Sequence, residues 1–124
     1  MGKIYRYYNR NPDGHILNDC VCKAISTATD LNYAAVNNLL DISASLNNCD
    51  QLCVCCYHKL LEDILCYERV DCKFKNTVED IARKYRDEKL IVRIQGHLTA
   101  IIKGEILDIW DCSGRYVDCF WFVV

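Results

Sequence analysis

The last third of the chain most narrows what it can fold into. Four runs, 90–94, 97–102, 105–110 and 115–123, are rich in β-branched and aromatic residues, the composition of strands. Only Lys103-Gly104 separates the second run from the third, a dipeptide suited to a two-residue hairpin turn. Ahead of them, apolar residues recur at helical spacing. Helices first and strands after predict an α+β domain with N-terminal helices packed on a C-terminal antiparallel sheet.

The earlier segments read as follows. Residues 3–8 predict a short strand, and Pro12 and Gly14 punctuate a turn over 9–14. Asn18 or Asp19 is placed to cap a helix starting near Cys20, with Val21, Ala24, Ile25 and Ala28 on one face. A second helix is expected over 33–40, capped by Asn32, and a loop over 41–48. A third helix is expected over 49–65, where Leu52, Cys56, Leu60 and Ile64 repeat every four residues. Thr77-Val-Glu-Asp80 has the form of a capping box.

At 124 residues the chain reads as a single domain, 1–124. The net charge of −2, with Arg83, Lys84 and Arg86 interleaved among acids, argues against nucleic acid as a partner. No run approaches the roughly 20 apolar residues of a membrane span, so no membrane partner is expected. The first residues lack the apolar stretch of a secretory signal, and Arg6 breaks a myristoylation pattern. A cytoplasmic location is therefore expected, in which the ten cysteines are mostly free thiols filling the core.

Three residues carry the chemistry. Cys20 would sit in the first turn of a helix, where the dipole favours a thiolate. If Lys103-Gly104 is the turn, Ile102 pairs with Glu105, Thr99 with Asp108 and His97 with Trp110. His97, Thr99 and Asp108 then share a face, with Asp108 diagonal to His97 and within reach of it. Asp111 has the opposite parity. The set is a nucleophile, a base and an orienting acid. The backbone N–H of Cys20 and the side chain of Asn18 are candidate oxyanion donors. Each residue taken alone also has a bland reading, as core thiol, sheet histidine or solvated acid. Their chain order and element types make the case. The chemistry calls for no cofactor.

The segments Asn18-Asp-Cys-Val-Cys-Lys-Ala-Ile-Ser-Thr-Ala-Thr, Val92 through Ser113 and Arg115-Tyr-Val-Asp-Cys-Phe-Trp resemble a family of small papain-like proteins encoded mainly by bacteria and their phages. The resemblance covers both ends of the chain and thins between Ile42 and Val70. It implies a papain-like fold and a thiol hydrolase or cysteine protease. The nucleophile would be Cys20, the base His97 and the third catalytic member Asp108. The Asp19-Cys20 pair is also similar to the start of the cell-wall amidopeptidase branch of the papain clan. Papain has a glutamine six residues before its cysteine, whereas Gly14 stands here. The implied partner is a protein or peptide substrate cleaved at a peptide, isopeptide or related amide bond. The alternative is a binding module, a phage or mobile-element protein that occupies a host protein without turnover.

Cys49-x3-Cys53-x2-Cys56, with His58, Cys66 and Cys72 nearby, has spacings compatible with zinc. On one helix these cysteines would line a face with Leu52 and Leu60, which is also how a buried helix packs. Packing is the preferred reading, and no metal is assigned. Cys22 lies about 200° around the helix from Cys20, so the two cannot serve the same histidine.

Overall fold

The computed structural model describes residues 4–14 and 19–124. These described residues form four α-helices and one mixed six-stranded sheet. The elements are β1 (Tyr5–Tyr7), α1 (Cys20–Thr29), α2 (Tyr33–Leu46), α3 (Val54–Lys59), β2 (Glu68–Asp71), α4 (Val78–Lys84), β3 (Lys89–Ile94), β4 (His97–Ile102), β5 (Glu105–Asp108) and β6 (Val117–Phe122). A π-helical turn, Leu60–Ile64, continues α3. The α+β class agrees with the sequence pattern.

Strand order is β1-β5-β4-β3-β6-β2. All neighbours are antiparallel except β1 and β5, which run parallel. The expected all-antiparallel sheet is corrected at that edge. Which strand β1 joins is decided by the chain's return path, and no local pattern encodes it.

The sheet is covered on both faces. Val21, Ile25, Leu40 and Leu60 from the helical half meet Ile91, Leu98, Ala100 and Trp121. On the opposite face Val78 and Ile81 of α4 pack with Leu90, Val92, Ile101, Ile106 and Phe120. Alternate residues of β3, β4 and β6 therefore feed two cores, as a pleated strand requires. Both faces being dry explains why these strands read as nearly continuous apolar runs.

The local signals behave as their chemistry dictates in several places. Asn32 accepts from the N–H groups of Ala34 and Ala35. The Thr77 hydroxyl accepts from the Asp80 N–H, and the Asp80 carboxylate accepts from the Thr77 N–H, which completes the capping box. Lys103 (φ 49°) and Gly104 (φ 82°) are both left-handed, as a type I′ turn demands.

Elsewhere the expectation fails. Residues 41–46 continue α2 instead of forming a loop. Ser43 and Ala44 are buried there, and the Ser43 hydroxyl donates to the Cys56 carbonyl at 2.9 Å. Small residues let the two helices approach, and a polar-looking run hides that role. The expected helix over 49–65 starts only at Val54, because Asp50 captures the chain in a turn: its carboxylate accepts from the Leu52 N–H at 2.9 Å and its carbonyl from the Cys53 N–H at 3.0 Å. Leu52 and Ile64 are consequently exposed while Cys56 and Leu60 are buried. Strand β2 was not anticipated. Its Glu-Arg-Val-Asp sequence is polar because it is an edge strand, paired only with β6.

Candidate active site

Cys20 is the first residue of α1. The first backbone bond of that helix runs from the Lys23 N–H to the Asp19 carbonyl, so the N–H groups of Cys20, Val21 and Cys22 precede the ladder and give this end its positive potential. The expectation that Asp19 caps the helix through its side chain is corrected: it makes no such bond. Its carboxylate instead accepts from the Tyr33 hydroxyl and the Asn11 amide and pairs with Lys23 at 2.9 Å. Burial works against the Asp19 charge, yet these three partners hold its pKa below the usual value. Lys23 in turn balances the negative charge that Asp19 places beside the thiol. Asn18, the expected oxyanion donor, lies outside the described residues.

His97 opens β4 and Asp108 ends β5. The hairpin pairs Ile102 with Glu105, Ile101 with Ile106 and Ala100 with Leu107. Pairing between the two strands stops there, short of the expected Thr99–Asp108 and His97–Trp110 positions. The parity argument still delivers its result, for His97 Nε2 lies 2.6 Å from Asp108 Oδ2. The other carboxylate oxygen accepts from the Ile109 N–H at 2.7 Å. Asp111 is elsewhere, accepting from the Ser113 N–H. With Nε2 engaged, Nδ1 is the ring nitrogen left to serve the sulfur.

The His97 ring and the Leu98 backbone act on the Cys20 sulfur electrostatically. Burial alone would raise the thiol's pKa, but these neighbours outweigh it and the net shift is downward. Burial likewise opposes an imidazolium, yet the bond to Asp108 and the nearby Cys20 thiol push His97 up to about 9. Both shifts favour a thiolate–imidazolium pair.

The three expected residues therefore meet in one place. Cys22, the control nucleophile, does not join them: its thiol donates to the Tyr33 carbonyl at 3.4 Å, and burial pushes it up to about 12. Cys112 is buried near Asp108 and also pushed up to about 12, chiefly by burial.

The site sits in a cleft of about 340 Å³. Cys20, His97 and Leu98 line it together with Leu52, Val54 and Tyr57, which supply apolar surface. Arg93 and Asp118, an ion pair at 3.5 Å, supply its charged end, and Gln95 and Gly96 of the β3–β4 turn complete the lining. No protein-family model, curated protein or solved structure matches the chain. Among the described residues no helix is long and apolar enough to cross a membrane.

Trp110, which the expected register set opposite His97, lies with its ring centroid 5.0 Å from that of His97 and helps screen the imidazole from water. Other contributors carry no local sequence signal. The Tyr5 hydroxyl donates to the Asp108 carbonyl at 3.1 Å. Arg93 and Asp118 reach the cleft only because β3 and β6 are neighbours. No short-range pattern pairs those residues; only strand order does.

The zinc-compatible grouping is also redrawn. Cys56 turns into the core and its thiol donates to the Leu40 carbonyl. Cys55 takes its place beside Cys49 and Cys53, because the helix begins at Val54 and not at Cys49. His58 is engaged with Arg69, Arg93 and Glu62.

Proposed function

We propose that the protein is a papain-like thiol hydrolase that cleaves a peptide, isopeptide or related amide bond, acting in the cytoplasm. One observation carries the reading: Cys20 and His97 line one cleft, and the His97 ring that lowers the thiol's pKa is held by the Asp108 carboxylate at 2.6 Å.

In this mechanism the Cys20 thiolate attacks the substrate carbonyl carbon. The oxyanion that forms faces the N-terminal end of α1, where the Cys20 N–H is a donor. His97 gives its proton to the leaving nitrogen, the C–N bond breaks, and an amine departs from a thioester. His97, now neutral, takes a proton from water as the water attacks that thioester. The C–S bond then breaks, releasing the acid and restoring the ion pair. Asp108 holds the ring in the tautomer and orientation both steps need. An amine acceptor in place of water would make the same thioester an acyl-transfer intermediate.

The cleft favours a substrate with an apolar side chain against Leu52 and Val54. An oppositely charged group would suit the Arg93–Asp118 end.

A second reading, a papain-like binding module that occupies a host protein, draws support from Gly14. It stands where papain carries an oxyanion glutamine, which leaves the Cys20 N–H as the candidate donor among the described residues. Mass spectrometry after exposure to an electrophilic thiol-protease probe separates the two. Turnover chemistry requires a single adduct on Cys20 that is lost in Cys20→Ala and His97→Ala. Uniform slow labelling of many thiols supports the binding module instead.

A further inference from the structure

A second group of sulfurs lies beside the cleft. The Sγ atoms of Cys49, Cys53 and Cys55 all lie within 4.8 Å of one another. Those of Cys53 and Cys55 are 3.1 Å apart, longer than the roughly 2.05 Å of a disulfide, and all three cysteines are free thiols. A tetrahedral zinc site with Zn–S bonds of about 2.3 Å spaces its sulfurs about 3.8 Å apart. That spacing lies between the 3.1 Å and the 4.8 Å limit found here.

The backbone holding these thiols is fastened. The Cys49 N–H donates to the Ala44 carbonyl at 2.9 Å and the Cys53 N–H to the Asp50 carbonyl at 3.0 Å. The Gln51 amide donates to the Asn37 side-chain oxygen at 3.0 Å. Little chain entropy remains to be lost on binding an ion, so the donors are preorganised. An all-sulfur set selects a soft or borderline cation over calcium or magnesium. The hollow that adjoins Cys49 is lined by Asp41 and Asp50, whose charge attracts a cation.

We propose that Cys49, Cys53 and Cys55 form a three-thiolate zinc site whose fourth position is filled by water or an outside donor. Binding exchanges three thiol protons for one Zn²⁺, leaving a centre of charge −1. Leu52 lines both this hollow and the cleft, and Val54 lines the cleft; both lie between or beside the ligands. Loading therefore braces Leu52 and Val54 where they line the cleft with His97. The metal site stands on its own geometry, while its effect on substrate rests on the thiol-hydrolase reading.

The test uses the reduced, metal-stripped full chain titrated with zinc against a chromogenic chelator, and with cobalt(II) to read thiolate charge-transfer absorption. Wild type and Cys20→Ala each take up one equivalent and develop the thiolate band. Cys53→Ser, and the double change Cys53→Ser/Cys55→Ser, weaken uptake by at least roughly a hundredfold and lose the band. Circular dichroism that matches wild type shows these variants to be folded. Failure of reduced wild type to bind, or retention of the band in the double variant, overturns the site. Zinc lost in Cys20→Ala also overturns it, because the ion would then belong to the cleft. A protein that binds zinc as described but forms no adduct at Cys20 keeps the metal site and loses only the hydrolase.

Discussion

The Nε2 atom of His97 is 2.6 Å from Oδ2 of Asp108, although the two residues sit on different strands and no backbone bond joins them directly. The contact is buried, with the two side chains 11% and 8% exposed. Asp108→Ala removes the group that fixes the ring and supports its charge. The expected result is a fall in kcat/KM of about 10²–10⁴-fold, with little change in KM, read by steady-state kinetics on a peptide amide.

Ionisation at the site gives a second prediction. The Cys20 thiol ionises below its ordinary value of 9.0 and His97 is raised from 6.5 to about 9. Alkylation of Cys20 by iodoacetamide should therefore proceed at mildly acidic pH, and His97→Ala should abolish that preference. Cys53 is also shifted down, through its bond to Cys55, so peptide mapping is needed to assign the label. Activity should rise as pH climbs through the folded thiol's pKa and fall as the imidazolium deprotonates near 9. For stability, the raised imidazolium contributes fully below pH 6.5, and the contribution is lost as pH rises through about 9. The lowered thiol contributes above pH 9.0 and its share is lost as pH falls through its folded pKa. Denaturation of wild type and His97→Gln across this window should show the difference between them shrink toward alkaline pH.

Asp19 and Lys23 give a prediction about folding. Their side chains are 13% and 8% exposed and pair at 2.9 Å. The paired atoms, Asp19 Oδ1 and Lys23 Nζ, have no other partner. Asp19→Ala leaves a buried ammonium uncompensated, at a cost of about 3–5 kcal/mol. It also frees the Tyr33 hydroxyl, which that carboxylate holds above its ordinary pKa after burial has already raised it. Urea unfolding measures the first effect, and ultraviolet titration of tyrosine the second.

The hairpin turn can be tested separately. Gly104 has φ 82°, a region that costs an L-residue about 1–2 kcal/mol. A Cβ there meets Arg86 Cγ at 3.6 Å, an ordinary contact, so the expected penalty for Gly104→Ala is conformational. Thermal unfolding should show that loss while the His97 ring signals in NMR keep their shifts, since the register is unchanged.

The site was legible in the sequence to the extent that local rules govern it. The two-residue turn and the period of a strand are enough to bring Asp108 to His97 and to send Asp111 away. Cys20 was marked by the polar residues before it and the apolar spacing after it. Asp19 shows where that logic ends: its residue type suits a cap, but Lys23, Tyr33 and Asn11 compete for the carboxylate and win. The middle of the chain departs from its local pattern for a related reason. Ser43 is buried for a hydrogen bond to another helix, and Asp50 stops a helix that the apolar spacing alone would start. Partners distant in sequence decided both, as they did the parallel pairing of β1.

That pairing has a further consequence. Tyr7 is aligned with Asp108, and the Tyr8 N–H donates to the Asp108 carbonyl at 2.8 Å. Asp108 is thus clamped by a segment made about a hundred residues earlier. During synthesis Cys20 emerges long before the strands that carry His97 and Asp108. On the proposed reading, its thiol therefore gains its partners only once both halves of the chain have been made and have met.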